Sequence, residues 1–273
     1  MGTTQRIKPG VPGQPNWKDL SRAITHIAKT VEKENSDEEN EKTQEQLAKE
    51  YIAIIQKRKR NIKATFNNLV KIGGGKKNIV QGKSSSIGKA GLRSTHKLVS
   101  FFSGVNTVGL PNTLIQYGFG QLEGKTIQDV LDFMLVYCTD SNAGMDETAA
   151  NKATCEVLNE IIAKSDNNLE KFESIIKDYV ESNGLSDLIC SFWGHYIFEH
   201  LSQLFNEKIT QIRGEIVSKE TFKLIKDDIM GQVKVLNEIR PITRIDWQGQ
   251  EGIIIIESIF ESILNIICDD DIS

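Results

Sequence analysis

LSDLICSFWGHYIFEHLSQLF (185–205) is the stretch on which the fold turns. Wound as a helix, it carries apolar side chains nearly all the way round and leaves no broad face for water. A helix of that kind sits at the centre of a protein rather than on its surface. Its neighbours read the same way. To the N-terminal side, 167–183 places Leu169, Phe172, Ile176, Tyr179 and Val180 at core spacing, and another helix starts at Met145 or Asp146 and runs to about residue 164. To the C-terminal side, helices are expected near 218–238 and 250–267, joined by IRPITRIDWQG (239–249) as an extended connection or a short strand.

Further toward the N-terminus, short helices are expected at 110–117 and 126–138, separated by the glycine-punctuated YGFGQLEGKT (117–126). A helix near 86–103 sets the small residues Gly88, Ala90, Gly91 and Ser94 beside Leu92, Leu98, Val99, Phe101 and Phe102. Small residues at such spacing let helices approach closely, and Gly104 reads as its C-cap. Trp17 opens a helix over 17–34, with Leu20, Ile24, Ile27, Ala28 and Val31 on one side. The charged SDEENEKTQEQ (36–46) leads into a long helix from about 41 to 72, striped by Leu47, Tyr51, Ile54, Ile55, Ile62, Phe66, Leu69 and Val70. No βαβ alternation occurs anywhere. The expected fold is all-α, a multi-helix bundle.

The ends and loops divide the chain. Residues 1–16 (MGTTQRIKPGVPGQPN) hold three of the five prolines and no periodicity, which predicts a disordered Pro/Gly-rich tail. Residues 17–165 and 166–273 read as two helical regions packed on one body. The segment GGGKKNIVQGKSSS (73–86) contains Gly82-Lys83-Ser84, yet Lys77 stands where a phosphate-cradling loop needs its first glycine, and a helix precedes it in place of a strand. The serine triplet reads instead as an N-cap for the next helix.

Composition narrows function. With 33 Lys and Arg against 37 Asp and Glu, the net charge is −4, so the whole molecule has no general pull toward nucleic acid. One basic cluster stands out, Lys57, Arg58, Lys59 and Arg60, followed by Lys63. Its plain reading is a solvated helix face, and contact with phosphate or an acidic partner is the alternative. Cys138, Cys155, Cys190 and Cys268 lie among apolar neighbours without a close pair, as buried free thiols of a reducing compartment would, and no metal site is expected. The polar N-terminus has no apolar signal core, and the run 253–267 is interrupted by Glu257 and Glu261. The expected setting is therefore the cytoplasm, with no membrane.

Catalytic patterns are missing as well. His195, Glu199 and His200 spell H-x-x-x-E-H, one residue too long for a zinc-protease motif of that sense. The two histidines point about 140° apart on a regular helix. His26 and His96 are isolated. No cofactor is implied, and the chain reads as a non-enzyme.

The residue with the most chemistry is Gly2. Removal of Met1 would expose its amine, whose pKa lies near 7.7–8.0, so roughly a tenth is neutral and nucleophilic at pH 7. Arg6 stands where myristoylation needs Ser or Thr. Glycine adds no Cβ to obstruct a partner's pocket, and an extended tail of about 15 residues reaches up to roughly 50 Å.

The opening MGTT and its proline-rich tail are followed by KSSSIGKAGLRSTHKLVSFFSGV (83–105), GLPNTLIQYGFGQLEGKTIQDVLDFML (109–135) and DETAANKATCEVLNEI (146–161). In that order they resemble the QatB family of the bacterial Qat anti-phage defence system, over the first 16 residues and about 83–165. The resemblance implies three operon partners: an ATPase, a QueC-like enzyme of QatC type, and a TatD-like nuclease. It also implies that the QueC-like enzyme activates a carboxy-deazaguanine with ATP and passes it to a protein amine. Gly2 matches that acceptor, with Thr3 and Thr4 presented beside it, so the chain would be an adaptor and a substrate. Two other classes stay open. One is a helical nucleic-acid scaffold using Lys57, Arg58, Lys59, Arg60, Lys76, Lys77 and Lys83. The other is an enzyme, perhaps a nuclease, with a cluster not legible in sequence.

Overall fold

The computed structural model describes residues 15–36, 43–139, 144–182, 184–239, 247 and 249–268. Among these there are eleven helices and no strand: α1 (Pro15–Ser36), α2 (Gln44–Ile72), α3 (Lys76–Val80), α4 (Lys89–Val108), α5 (Leu110–Gln116), α6 (Ile127–Cys138), α7 (Met145–Ser165), α8 (Leu169–Glu181), α9 (Gly184–Arg213), α10 (Glu215–Ile239) and α11 (Gln250–Cys268). The all-α bundle expected from the periodicity is the fold observed. Helix α9 is its axis, packed by α7, α10, α11, α8, α1 and α4. The Trp193 ring stacks on Phe260 of α11 with centroids 3.7 Å apart. Helix α4 comes in so close that a Cβ on Gly91 would lie 2.6 Å from the Trp193 ring. A single apolar cluster takes in residues from Leu20 to Cys268, on both sides of residue 165.

Local chemistry sets the starts of α2, α6 and α8. Thr43 caps α2 and Thr126 caps α6, each through a reciprocal capping box, with Gln46 and Asp129 as the returning side chains. Asn168 accepts from the Lys171 amide at the start of α8.

Several boundaries differ from the sequence reading. Helix α1 begins at Pro15, a residue tolerated in a first helical turn because its missing N–H would have no partner there. Helix α4 passes through Gly104 and stops at Gly109, where φ is +82°. Gly104 is buried against Thr113 of α5, so its missing side chain serves packing and not termination. The segment 73–86 contains α3, too short to show periodicity. Helix α9 runs eight residues past 205, carried on by buried Ile209. Cys155 is only half-buried, while Cys138, Cys190 and Cys268 are buried, and none of the four is in a disulfide. Burial pushes the Cys138 thiol up to about 12. The tail over 1–14 and most of the 239–249 connection lie outside the described residues.

Candidate functional site

The proposed acceptor Gly2, with Thr3 and Thr4, lies outside the described residues. What is described is the helix that such a tail would lead into. Helix α1 buries Leu20, Ile24, Ile27 and Val31 and packs on α2, α10 and α9. It is also tied by charge. Arg213 Nη1 of α9 lies 2.5 Å from Glu32 Oε2, and Lys208 donates to the Ser21 hydroxyl. The tail therefore leaves from a helix seated on the central axis of the bundle.

The chain's most concentrated buried chemistry lies where α7 meets α9. Asp146, in the first turn of α7, accepts hydrogen bonds from the Ala90 amide at 2.8 Å and the Gly88 amide at 3.2 Å. It also accepts from the Tyr196 hydroxyl and from His200 Nε2 at 3.1 Å. The Gly88 amide donates to the Tyr196 oxygen as well, at 2.5 Å. Asp146 thus does for α4 what the serine triplet was expected to do. Its carboxylate meets the orphan amides and the positive end of the helix from another part of the chain. Serine cannot take this place, because Gly88 turns the backbone with φ +109° and a Cβ there would sit 2.3 Å from the Ile79 carbonyl oxygen. The loop is pressed onto α3, and the cap comes from outside.

Burial alone would raise the Asp146 carboxyl. Hydrogen bonds from His200, the Ala90 amide and Tyr196 outweigh it and hold the group below the usual carboxylate range. Burial, and next the Asp146 charge, push the Tyr196 hydroxyl far above its ordinary value. Tyr196 gives its proton to one partner and takes one from another, so its bonds are committed.

Farther along the same seam, Glu160 Oε1 accepts from His195 Nε2 at 3.1 Å, and that bond lowers the Glu160 carboxyl. Lys152 Nζ meets Glu199 Oε2 at 2.9 Å, with Ser202 Oγ on the same oxygen at 3.1 Å. His195 and His200 face different carboxylates on α7, as their angular separation predicted. Among the described residues no group of three or more His, Cys, Asp or Glu side chains could hold a metal ion. This seam was missed in the sequence reading. Its signal was present all the same, in a Tyr, two His and a Glu on a helix with no outer face.

The basic residues are distributed differently from one patch. Arg58 turns toward α1, where it pairs with Glu34 and reaches Thr30 Oγ1 at 3.3 Å. Lys57 is exposed. Lys59 and Arg60 join Lys63 and Asn67 along a groove of about 560 Å³ between α2, α10 and α11. Its other wall includes Asp228, Gln232, Ile266 and Ile267. Burial raises the Asp228 carboxyl, while a bond from Gln232 and the Lys59 charge act in the other direction. Lys76 bonds Asn265 at 2.9 Å, Lys77 is exposed, and Lys83 bonds Gln81 at 2.8 Å on the loop after α3. Lys83 does not line the groove.

These features define an all-α protein in which, among the described residues, Asp146 and the buried Tyr196 and His200 pair with one another and cap α4. Residues 74–267 match the family described as Qat anti-phage system associated protein QatB, and the chain belongs to that family. The match includes the 83–165 part of the resemblance and not its first 16 residues, and it continues through α8, α9 and α10 into α11. Helices α1 and α2 precede it. No curated protein and no solved structure matches the chain. The protein is thus a component associated with an anti-phage system. No helix among the described residues is long and apolar enough to cross a membrane.

Proposed function

We propose that the protein is a non-enzymatic adaptor of the Qat system, and that its N-terminal Gly2 is the acceptor for a deazaguanine amide made by a QueC-like partner in the cytoplasm. The observation that carries this reading is the Met1-Gly2 start on a Pro- and Gly-rich segment, in a chain that belongs to the QatB family. The α-amine of glycine is far more available as a nucleophile at neutral pH than any ordinary lysine. Thr3 and Thr4 are small enough to follow it into a pocket. The helical body would dock the partners, including the operon ATPase and the TatD-like nuclease. No cofactor is assigned to this chain.

The reaction places simple demands on the acceptor. The activated carboxylate is an acyl-adenylate, the Gly2 nitrogen attacks its carbonyl carbon, AMP leaves, and the amine proton is lost. All of the activation chemistry belongs to the partner. The test is replacement of Gly2 by a bulky residue such as Trp, which retains Met1 and removes the glycine amine. Modification and phage protection should both be lost. Survival of both would end the proposal.

A second reading, nucleic-acid binding through the basic residues, has one observation in its favour: Lys59, Arg60 and Lys63 line a common groove. It predicts affinity that falls steeply with salt and is abolished by charge reversal at 57–60.

A further inference from the structure

The apolar stripe that seats helix α2 runs on past the point where the bundle covers it. Ala48, Ile55, Ile62 and Leu69 recur every seven residues and so lie on one line of the helix. Ile62 and Leu69 are buried, Ile55 is half-buried and Ala48 is exposed. Every residue from Thr43 to Lys49 is exposed, as are Tyr51, Ile52 and Ala53. Leu47, Ala48, Tyr51 and Ile54, together with Glu34 and Glu50, line a mostly apolar groove of about 370 Å³. Local support for this end of α2 comes from the capping box at Thr43 and the exposed Glu45–Lys49 pair, and such a pair contributes little. Three turns of helix are marginal in water unless one face is covered.

The charges beside the stripe are complementary to themselves. Glu45, Ile52 and Lys59 also recur every seven residues, on a line next to the first, and all three are exposed. A second copy laid antiparallel about a two-fold axis beside Ile52 sets Glu45 of each chain opposite Lys59 of the other. Each pair then lies about 10 Å from the axis, the length of seven residues of helix. The two Ile52 side chains meet at the centre, next to Ala48, Tyr51 and Ile55. A parallel arrangement would set Glu45 on Glu45 and Lys59 on Lys59, and like charges repel. Within its own chain Glu45 meets Lys49, and Lys59 feels the Asp228 charge. Both side chains nevertheless stay open to a partner.

We infer that two copies of this chain associate antiparallel through the first half of α2, with Ala48, Tyr51, Ile52 and Ile55 as the apolar seam and a Glu45–Lys59 pair closing each end. A contact of this kind uses the same patch on both chains, so it closes on itself and stops at a dimer. A few helical turns bury less area than a permanent dimer does, so association depends on concentration. The surface precedes the family-matched residues 74–267 and is independent of Gly2 as an acceptor. Each dimer carries two N-termini.

Sedimentation equilibrium of the full chain over a concentration series at low salt tests it, and should show a reversible monomer–dimer equilibrium. Glu45→Lys and Lys59→Glu should each raise the dissociation constant about tenfold or more, because like charges then meet at both ends. Combining the two restores opposite charges across the axis, so the double variant should associate as the unaltered chain does. Ile52→Glu should abolish the dimer. In dilute solution, where the chain is a monomer, its unfolding midpoint should match that of the unaltered chain, since residue 52 is exposed there. A chain that stays monomeric at every concentration would overturn the proposal and leave the seam to a different protein. A double variant that associates no better than its parents, or a dimer that survives Ile52→Glu, would overturn it as well.

Discussion

Helices α2 and α9 are nearly equal in length, 29 and 30 residues, and they live in different surroundings. Helix α9 is covered all round over residues 188–205, with exposed residues only toward its ends, and buries Trp193, Tyr196, His195 and His200 in that stretch. Helix α2 buries Ile62, Phe66, Leu69 and Val70 in its second half, while Leu47, Tyr51 and Ile52 in its first half are exposed. Helical pattern tells which face of a helix prefers the interior. How many partners are there to cover it depends on the rest of the chain, and each polar atom that a central helix carries inward costs free energy unless it is hydrogen-bonded.

Trp193→Ala should widen the contrast most. Losing a buried indole stacked on Phe260 removes apolar contact and leaves a cavity, at a cost of about 3–5 kcal/mol in denaturant unfolding. A cost as small as that of a surface change would break the comparison.

Asp146→Asn comes next, at about 1.5–3 kcal/mol, because the charged cap of α4 and the partner of His200 are lost together. Its pH dependence has a definite sign. The carboxyl is lower in the folded chain than its unfolded value of about 3.9, so its stabilisation is complete above that value. It is lost as pH falls through the folded value. The Asn variant should therefore lose less stability on acidification than the unaltered chain. Equal acid sensitivity would remove Asp146 from the account.

Tyr51→Ser, on the exposed half of α2, should change stability by no more than about 0.5 kcal/mol. A larger loss would show that this end of α2 is covered in solution.

Sequence carried the helices well wherever period and length agreed. The all-round apolar run at 185–205 announced the axis, and the stripes of α1, α8 and α11 fell close to their observed bounds. It failed where an end is fixed at a distance. The cap of α4 is Asp146, 58 residues from Gly88, and no local pattern links them. Gly104 looked like a terminator because glycine serves both stopping and close packing, and only the presence of Thr113 tells which. The groove was half legible. Its cations stood in one run on α2, but Asp228 and Gln232 arrive from α10, and the same run sends Arg58 to Glu34 on α1.

The central claim concerns Gly2, and mass spectrometry of the N-terminal peptide tests it most directly, after co-expression with and without the QueC-like partner. The account predicts a chain trimmed of Met1 whose Gly2 carries a deazaguanine amide only when that enzyme is active. An unmodified Gly2 alongside a demonstrably active enzyme would contradict it.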